Sequence, residues 1–353
     1  MGLLISEARI PFADAAGLAS RMIDHLAEHN VAFEAHDGLM IARLSFGTST
    51  LAVEPSAINV RVEASDLGNL EVLRSILASH IIEFAGDTPP TIVWQGHQSN
   101  GETLANFREV RLKSAIDLTP HMRRLTFTGG DIARFASDRE LHVRLYFPPP
   151  DLAKPEWPRP APDGQILWPP DDRRPLTRYY TIRRIDTATR EIDIDFVLHD
   201  HAGPGARFAM DAHPGAICGM AGPLGRSARP ARWMLLAGDE TALPAIARIL
   251  ESLPDTTAGH VLIEVADARE ELTLTAPSGM TVRWLHRDGA TPGSTRLLID
   301  AIRDVRWPDH RDVFAWVAAE AQTIKELRLH ARDIPDVARE QLLAVAYWGL
   351  RRA

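Results

Sequence analysis

A multidomain α+β chain is predicted: a small α+β domain over 1–98, an antiparallel β-barrel over 99–228, and an α/β domain with a parallel sheet over 229–353. Three observations predict it. The length of 353 residues exceeds what one hydrophobic core normally organises. Between residues 107 and 220, apolar residues alternate in short runs closed by Gly or Pro, which is the period of half-buried strands. Past Trp233 the runs become continuously apolar and alternate with helical patterns, as in a parallel sheet covered on both faces.

The elements follow in order. Residues 13–29 carry helical spacing at Ala15, Leu18, Met22 and Leu26, and strands are expected at Leu39–Ser45, Thr50–Val53 and Val60–Ala64. A second helix spans Asn69–Phe84 with Leu70, Leu73, Ile76, Leu77 and Ile81 on one face. The unit ends near Trp94, and the polar segment Gln95–Gly101 marks its boundary. Strands at Arg108–Ile116, Met122–Thr128, Leu141–Phe147, Thr177–Arg183, Glu191–Val197 and Ala216–Met220 make a six-stranded barrel. Residues 148–175 interrupt it with ten prolines, Trp157 and Trp168, and a loop this long in a compact domain is usually functional or mobile. In the last part Met234–Ala237, Gly259–Val265, Val282–Leu285 and Val313–Ala318 read as strands. Leu243–Leu253, Thr295–Ile302 and Ile324–Ala331 read as helices.

Composition narrows the function classes. No apolar run reaches the roughly 18–20 residues that cross a bilayer, so no membrane insertion is expected. The first residues lack a basic segment and a long apolar core, so a signal peptide is not expected and a cytoplasmic location is. Cys218 is the single cysteine, which leaves neither an internal disulfide nor an iron–sulfur ligand set, so redox chemistry needs an organic cofactor. The net charge of −8 lies mostly in residues 1–95, which hold five Arg and twelve Asp or Glu; nothing supports nucleic-acid binding. Arg173, Arg174, Arg178, Arg183 and Arg184 crowd together, either as a solvated surface or as an anion site, since the Arg fork suits phosphate. His25 and His29 stand four apart on one helix but lack a third ligand, so no metal site is expected.

Two segments carry chemistry: Arg178-Tyr179-Tyr180-Thr181 beside a strand, and Gly238-Asp239-Glu240-Thr241-Ala242-Leu243-Pro244 between a strand and a helix. In this order and spacing the chain resembles the siderophore-interacting protein family, FAD-dependent ferric-siderophore reductases of the ferredoxin-reductase superfamily, over roughly residues 103–350. The resemblance implies that Arg178 pairs with the flavin pyrophosphate, Tyr180 lies against the isoalloxazine, and Thr181 bonds near N5. A charged fork, an aromatic plate and a small hydroxyl suit those tasks. His199-Asp200-His201-Ala202-Gly203-Pro204-Gly205-Ala206-Arg207-Phe208-Ala209 resembles the second flavin element, Gly-Pro-Ala-Ser-Arg-Trp-Ala, which opens a helix whose N-terminus receives the pyrophosphate. His199, Gly203, Pro204, Ala206 and Arg207 fall on it. Here Gly205 replaces alanine, Ala206 replaces serine and Phe208 replaces tryptophan, so one hydroxyl donor to phosphate is gone while backbone amides and Arg207 remain.

Gly222-Pro223-Leu224-Gly225 matches the turn joining the two family domains. Gly238, Asp239, Glu240 and Thr241 are implied to face the nicotinamide, with Asp and Thr also good helix caps. Ala318-Ala319-Glu320 stands where the family has Ala-Gly-Glu, and the methyl of Ala319 is expected to crowd a dinucleotide. Arg144, at a position commonly lysine, with Arg226 and Arg351, is implied to line an open cleft for an anionic ferric siderophore. Residues 1–98 resemble a small domain of unassigned role found fused to such proteins.

The implied reaction takes hydride from NAD(P)H to FAD and single electrons onward to Fe(III), releasing iron in the cytoplasm, with no catalytic acid or base from the protein. Two alternatives stay open. Ferredoxin could replace NAD(P)H, which the Ala319 departure favours, or the chain could bind flavin or siderophore without reducing it. Arg269 could meet a 2′-phosphate, but Asp267 beside it argues the other way.

Overall fold

The computed structural model describes residues 2–28, 31–98, 101–199, 203–211, 213–309, 311–330 and 339–350. The chain divides into two compact units, Met1–Phe107 with Pro148–Pro175, and Arg108–Phe147 with Leu176–Ala353.

The N-terminal part runs β1 (Leu4–Pro11), α1 (Ala15–Glu28), β2 (Glu34–His36), β3 (Leu39–Leu44), β4 (Gly47–Glu54), β5 (Ala57–Ala64), α2 (Leu67–Ala85) and β6 (Gln95–Gly96). The strands form one antiparallel sheet in the order β2-β3-β4-β5-β1-β6. Both helices cover it, with Leu18, Met22 and Leu26 of α1 and Leu70, Leu73, Leu77 and Ile81 of α2 sharing a core with Ile58, Val60 and Val62. The Asp66 carboxylate accepts the Asn69 N–H at 3.1 Å and starts α2 where the helical spacing begins. Strand β1 has no counterpart in the sequence reading. Its buried positions are Ser6, Ala8 and Ile10, of which only Ile10 is strongly apolar. His25 meets His80 and Phe84 ring to ring at 5.4 and 5.3 Å, and His29 lies outside the described residues.

The barrel comprises β7 (Phe107–Thr119), β8 (Met122–Gly129), β9 (His142–Phe147), then, beyond a hairpin of β10 (Arg159–Pro160) and β11 (Ile166–Leu167), β12 (Leu176–Thr181), β13 (Arg184–Asp186), β14 (Glu191–Val197), α3 (Pro204–Asp211) and β15 (Ile217–Leu224). Strand order is β12-β9-β15-β7-β8-β14-β13. The two ends meet because one run of chain pairs first with β9 and then with β14. The Ile182 N–H donates to the Leu141 carbonyl at 2.8 Å, and the Arg183 N–H donates to the Asp193 carbonyl at 2.9 Å. With β12 and β13 taken as one bent strand, six strands close around Leu112, Leu125, Phe127, Val143, Leu145, Ile194, Phe196 and Met220. Cys218 is buried in the same core, where desolvation pushes its thiol pKa up and removes it from chemistry.

The α/β part runs β16 (Trp233–Asp239), α4 (Leu243–Ser252), β17 (Ala258–Val265), β18 (Gly279–His286), α5 (Leu297–Arg303), β19 (Val313–Glu320), α6 (Ala321–His330) and β20 (Leu342–Trp348). All its pairings are parallel, in the order β18-β17-β16-β19-β20. The chain moves outward from β16 to β18 and returns at β19 on the other side, which makes the gap between β16 and β19 the topological switch point. Strand β20 went unread in the sequence because, as an edge strand, it buries only Ala344 fully. Barrel and sheet are joined within their unit by Arg183 on Glu251 at 2.5 and 2.9 Å, by Arg248 on the Ile182 carbonyl at 3.0 Å, and by Glu270, which accepts from Thr119 Oγ1 at 2.5 Å.

The proline-rich loop is not an open excursion of the barrel. It groups with the N-terminal residues, where Trp157 packs on Phe107 at 5.0 Å and Trp94 Nε1 donates to the Asp163 carbonyl at 2.8 Å. A stretch expected to belong to residues 99–228 therefore gains its order from the preceding domain.

Candidate functional site

Strand β12 carries the first segment. Of the five arginines crowded around it, the structure gives four to carboxylates: Arg173 to Glu156, Arg174 to Asp171, Arg183 to Glu251, and Arg184 to Asp186 and Asp193. The expected anion cluster thus reduces to Arg178. It is exposed, it donates only to the Thr177 carbonyl at 2.7 Å, and it has no carboxylate partner among the described residues. On the same strand face Tyr180 reaches α3, and a Cβ on Gly205 would stand 1.9 Å from the Tyr180 hydroxyl, so only glycine lets the helix start come this close. The Tyr180 ring packs on Phe196 at 4.2 Å, and burial raises its pKa and keeps the phenol protonated. Gly203 and Pro204 lead into α3, Ala206 is buried, and Arg207 is exposed without a carboxylate partner among the described residues. Two arginines without carboxylate partners among the described residues, Arg178 on β12 and Arg207 in the first turn of α3, suit a diphosphate. Phe208 fills the barrel end against Phe147 at 5.2 Å and Phe127 at 6.3 Å, so that position serves the core. His199 is exposed at the end of β14.

The opposite face of β12 carries Tyr179 and Thr181, whose register partners on β9 are Arg144 and His142. Thr181 is buried and hydrogen-bonds the Tyr347 hydroxyl, which meets His142 Nε2 at 2.6 Å. Burial, with help from Arg248, lowers the His142 pKa to about 4, so the ring is neutral, with one nitrogen a donor and the other an acceptor. Sequence reasoning missed Tyr347 and His142 as a pair, because the two lie 205 positions apart and neither belongs to a recognisable spacing. Arg144 lies 4.9 Å over the Tyr179 ring and bonds its hydroxyl, while Tyr179 remains 57% exposed. Arg226 is exposed just past the domain-joining turn. Arg351 lies outside the described residues.

At the switch point the remaining residues come together. A Cβ on Gly238 would stand 2.4 Å from the Ala318 carbonyl, so glycine here sets the spacing of β16 and β19. The acidic side chains have internal partners. Asp239 accepts from Thr241 N–H and Oγ1 at 2.9 and 2.5 Å and from Trp348 Nε1 at 2.7 Å. Burial and the neighbouring Glu240 raise its pKa to about 6. Glu240 takes Arg287 at 2.6 and 2.8 Å, and Glu320 accepts the Gln322 and Thr323 amides at 2.5 and 3.2 Å at the start of α6. These carboxylates shape the loops. Ala319 is 2% exposed and points into the core shared with α5 and α6, and so packs its methyl there. Arg269 is engaged by Asp267 at 2.7 and 3.0 Å.

A closed antiparallel barrel joined to a parallel sheet, at whose switch point two glycine- and alanine-bearing strand ends converge, defines the class as a two-domain flavin oxidoreductase. Residues 111–227 match the siderophore-interacting FAD-binding domain, residues 231–351 match siderophore-interacting protein, and residues 7–95 match an uncharacterized protein conserved in bacteria (DUF2218). The chain belongs to the siderophore-interacting protein family, and FAD is the cofactor of its barrel. It is 32% identical to the ferric vibriobactin reductase ViuB of Vibrio cholerae over 237 residues, covering 65% of this chain and 85% of that protein. Among solved structures, a siderophore utilization protein from T. fusca matches at 36% identity and TM-score 0.60, covering 70% of this chain and 94% of that one. The siderophore-interacting protein SipS from Aeromonas hydrophila matches at 29% and TM-score 0.60, covering 70% and 93%.

Two outcomes follow from this geometry. Arg178→Ala is expected to lose about 1.5–3 kcal/mol of FAD affinity, the range for a charged hydrogen bond; fluorescence titration with an unchanged dissociation constant would remove Arg178 from the site. The depressed pKa of His142 predicts an acid slope. Its unfolded value is 6.5 and its folded value about 4, so the unfolded chain binds the extra proton between them and stability falls as pH drops through that window. In denaturant titrations His142→Phe should lose about 2 kcal/mol less than the parent between pH 7 and pH 5.

Proposed function

We propose that the protein reduces ferric siderophores and releases ferrous iron, with NAD(P)H as the electron source and FAD as the carrier. The observation that carries this reading is the shared strand face of β9 and β12. The Arg144–Tyr179 pair follows the His142–Thr181 pair by one pleat, so a cation and an exposed aromatic stand about 7 Å along the strand from the hydroxyl assigned to the flavin. A bulky anionic iron complex needs such an open, positively charged approach beside the redox end. The family membership and the 32% identity to a ferric vibriobactin reductase support the substrate class.

In this reading Arg178, Arg207 and the start of α3 hold the diphosphate of FAD, and Tyr180, expected against the isoalloxazine, instead packs on Phe196 and braces the helix start. Thr181 presents its hydroxyl to the ring, oriented by Tyr347 and His142. Bound FAD supplies the conversion between two-electron and one-electron chemistry. Gly238–Thr241 and Ala318–Glu320 form the walls against which NAD(P)H binds, with their carboxylates tied back so that no free negative charge faces its phosphates. Arg144 and Arg226 hold the iron complex, with Arg351 a further candidate by its place in the sequence. The balance is fixed: one NAD(P)H and two Fe(III) give NAD(P)⁺, one proton and two Fe(II). Hard oxygen donors bind Fe(II) less tightly, so reduction frees the metal. The cytoplasm is the compartment this reading implies.

The purified protein should be yellow, bleach anaerobically with NADH or NADPH, and regain colour with a ferric siderophore while a ferrous chelator traps two Fe(II) per donor oxidised. Bleaching by reduced ferredoxin alone would overturn the nicotinamide assignment. A protein that takes up no FAD would overturn the whole reading. Arg144→Ala and Arg226→Ala should each raise the KM for a ferric tricatecholate without slowing flavin reduction by NAD(P)H, the double change more so, and activity should fall with salt as screening contracts the field to about 8–10 Å. An equal response with a neutral ferric trihydroxamate would show that the arginines act through structure.

A further inference from the structure

Helix α2 buries two charged side chains among its apolar ones, Glu71 and Arg74, at 7% and 5% exposure. Buried charges are costly unless they meet polar partners, and the partners here come from outside the domain's own sheet. The Arg74 guanidinium lies 5.1 Å over the Trp94 ring and reaches the Pro162 carbonyl at 3.5 Å. Trp94, 3% exposed, donates Nε1–H to the next carbonyl, that of Asp163, at 2.8 Å. Glu71 Oε2 accepts the Ala105 N–H at 2.7 Å.

The segment that receives these donors is a preformed turn. The Ala161 N–H donates to the Gln165 carbonyl at 2.9 Å, the Gly164 N–H returns to Ala161 at 3.0 Å, and the Asp163 carboxylate accepts the Gln165 N–H at 2.9 Å. Pairing of β10 with β11 braces both arms. Gly164 sits at φ +94 with its Cα against the indole: a Cβ there would stand 2.6 Å from Trp94 Nε1. Two consecutive carbonyls and a bare glycine therefore face one arginine and one indole N–H.

We propose that the N-terminal domain is a turn-binding module whose ligand lies in the same chain. The Arg74–Trp94 surface takes the Pro162-Asp163-Gly164 turn and thereby holds the loop that leaves β9 at Phe147 and returns at Leu176, two residues before Arg178. The partner class is a tight Pro-Asp-Gly turn that offers paired backbone carbonyls. The domain's acidic surface takes no part, since both recognition donors are buried. This role is independent of the substrate reading.

Hydrogen exchange on the full-length protein tests it. Trp94→Phe keeps the ring and removes the donor, and Gly164→Ala places a methyl against the indole. In both variants amides of residues 159–167 should exchange about tenfold faster, the effect of one lost hydrogen bond, while peptides from β4 and β5 keep their protection. FAD should bind several-fold more weakly in the same variants. Unchanged exchange in 159–167 overturns the proposal, as does a loss of protection that β4 and β5 share, because the contact would then only hold the domain together. A freed loop with unchanged FAD affinity overturns its link to β12.

Discussion

Two backbone hydrogen bonds made by neighbouring residues close the barrel, Ile182 to Leu141 and Arg183 to Asp193. Because adjacent amides in a strand point opposite ways, one peptide step commits the chain to β9 on one side and β14 on the other. That commitment fixes the alternation along β12. Arg178 and Tyr180 turn toward α3 and the barrel end, while Tyr179 and Thr181 turn outward to Arg144 and His142. A slip of one residue would exchange the two sets and turn Arg178 and Tyr180 outward in place of Tyr179 and Thr181. Arg183, whose amide makes the second bond, sends its side chain to Glu251 on α4, so closure of the barrel and attachment of the parallel sheet share a residue.

Much of this was legible in the sequence. Alternation located the barrel strands, and the change to continuous apolar runs after Trp233 located the parallel sheet, because burial on one face or two leaves a direct mark on residue order. The elements that escaped lie at sheet margins or bury small residues: β1 turns Ser6 and Ala8 inward, and β20 buries Ala344 alone. Side-chain pairings were less legible. The five arginines near residue 178 looked alike in sequence, and only the fold separates Arg178 from four with carboxylate partners. Likewise the Thr181–Tyr347–His142 contact joins three distant segments, and no spacing rule reaches that far.

The departures from the family pattern acquire physical meaning once placed. Phe208 occupies a core position where an aromatic of somewhat smaller volume still meets Phe127 and Phe147. Ala319 directs its methyl into the core with α5 and α6, so the added carbon is absorbed by packing. Ala206 is different. It stands in the first turn of α3, where a serine would have added a hydroxyl donor, while Arg178 and Arg207 stay exposed.

The docked loop also imposes an order on how the chain can be made. The domain formed by the first hundred residues or so leaves the ribosome with Arg74 and the Trp94 indole facing water, and its ligand at residues 162–164 follows only after β7, β8 and β9 have emerged. The barrel cannot close at that moment, because Ile182 and Arg183 are still to come. Synthesis from the N-terminus therefore lets the turn be captured before closure, which shortens the free segment between β9 and β12 and lowers the entropy lost when the ends of the barrel meet. A circular permutant that places the first domain last would have to close the barrel around an unanchored proline-rich strand of chain, and should fold more slowly for that reason alone.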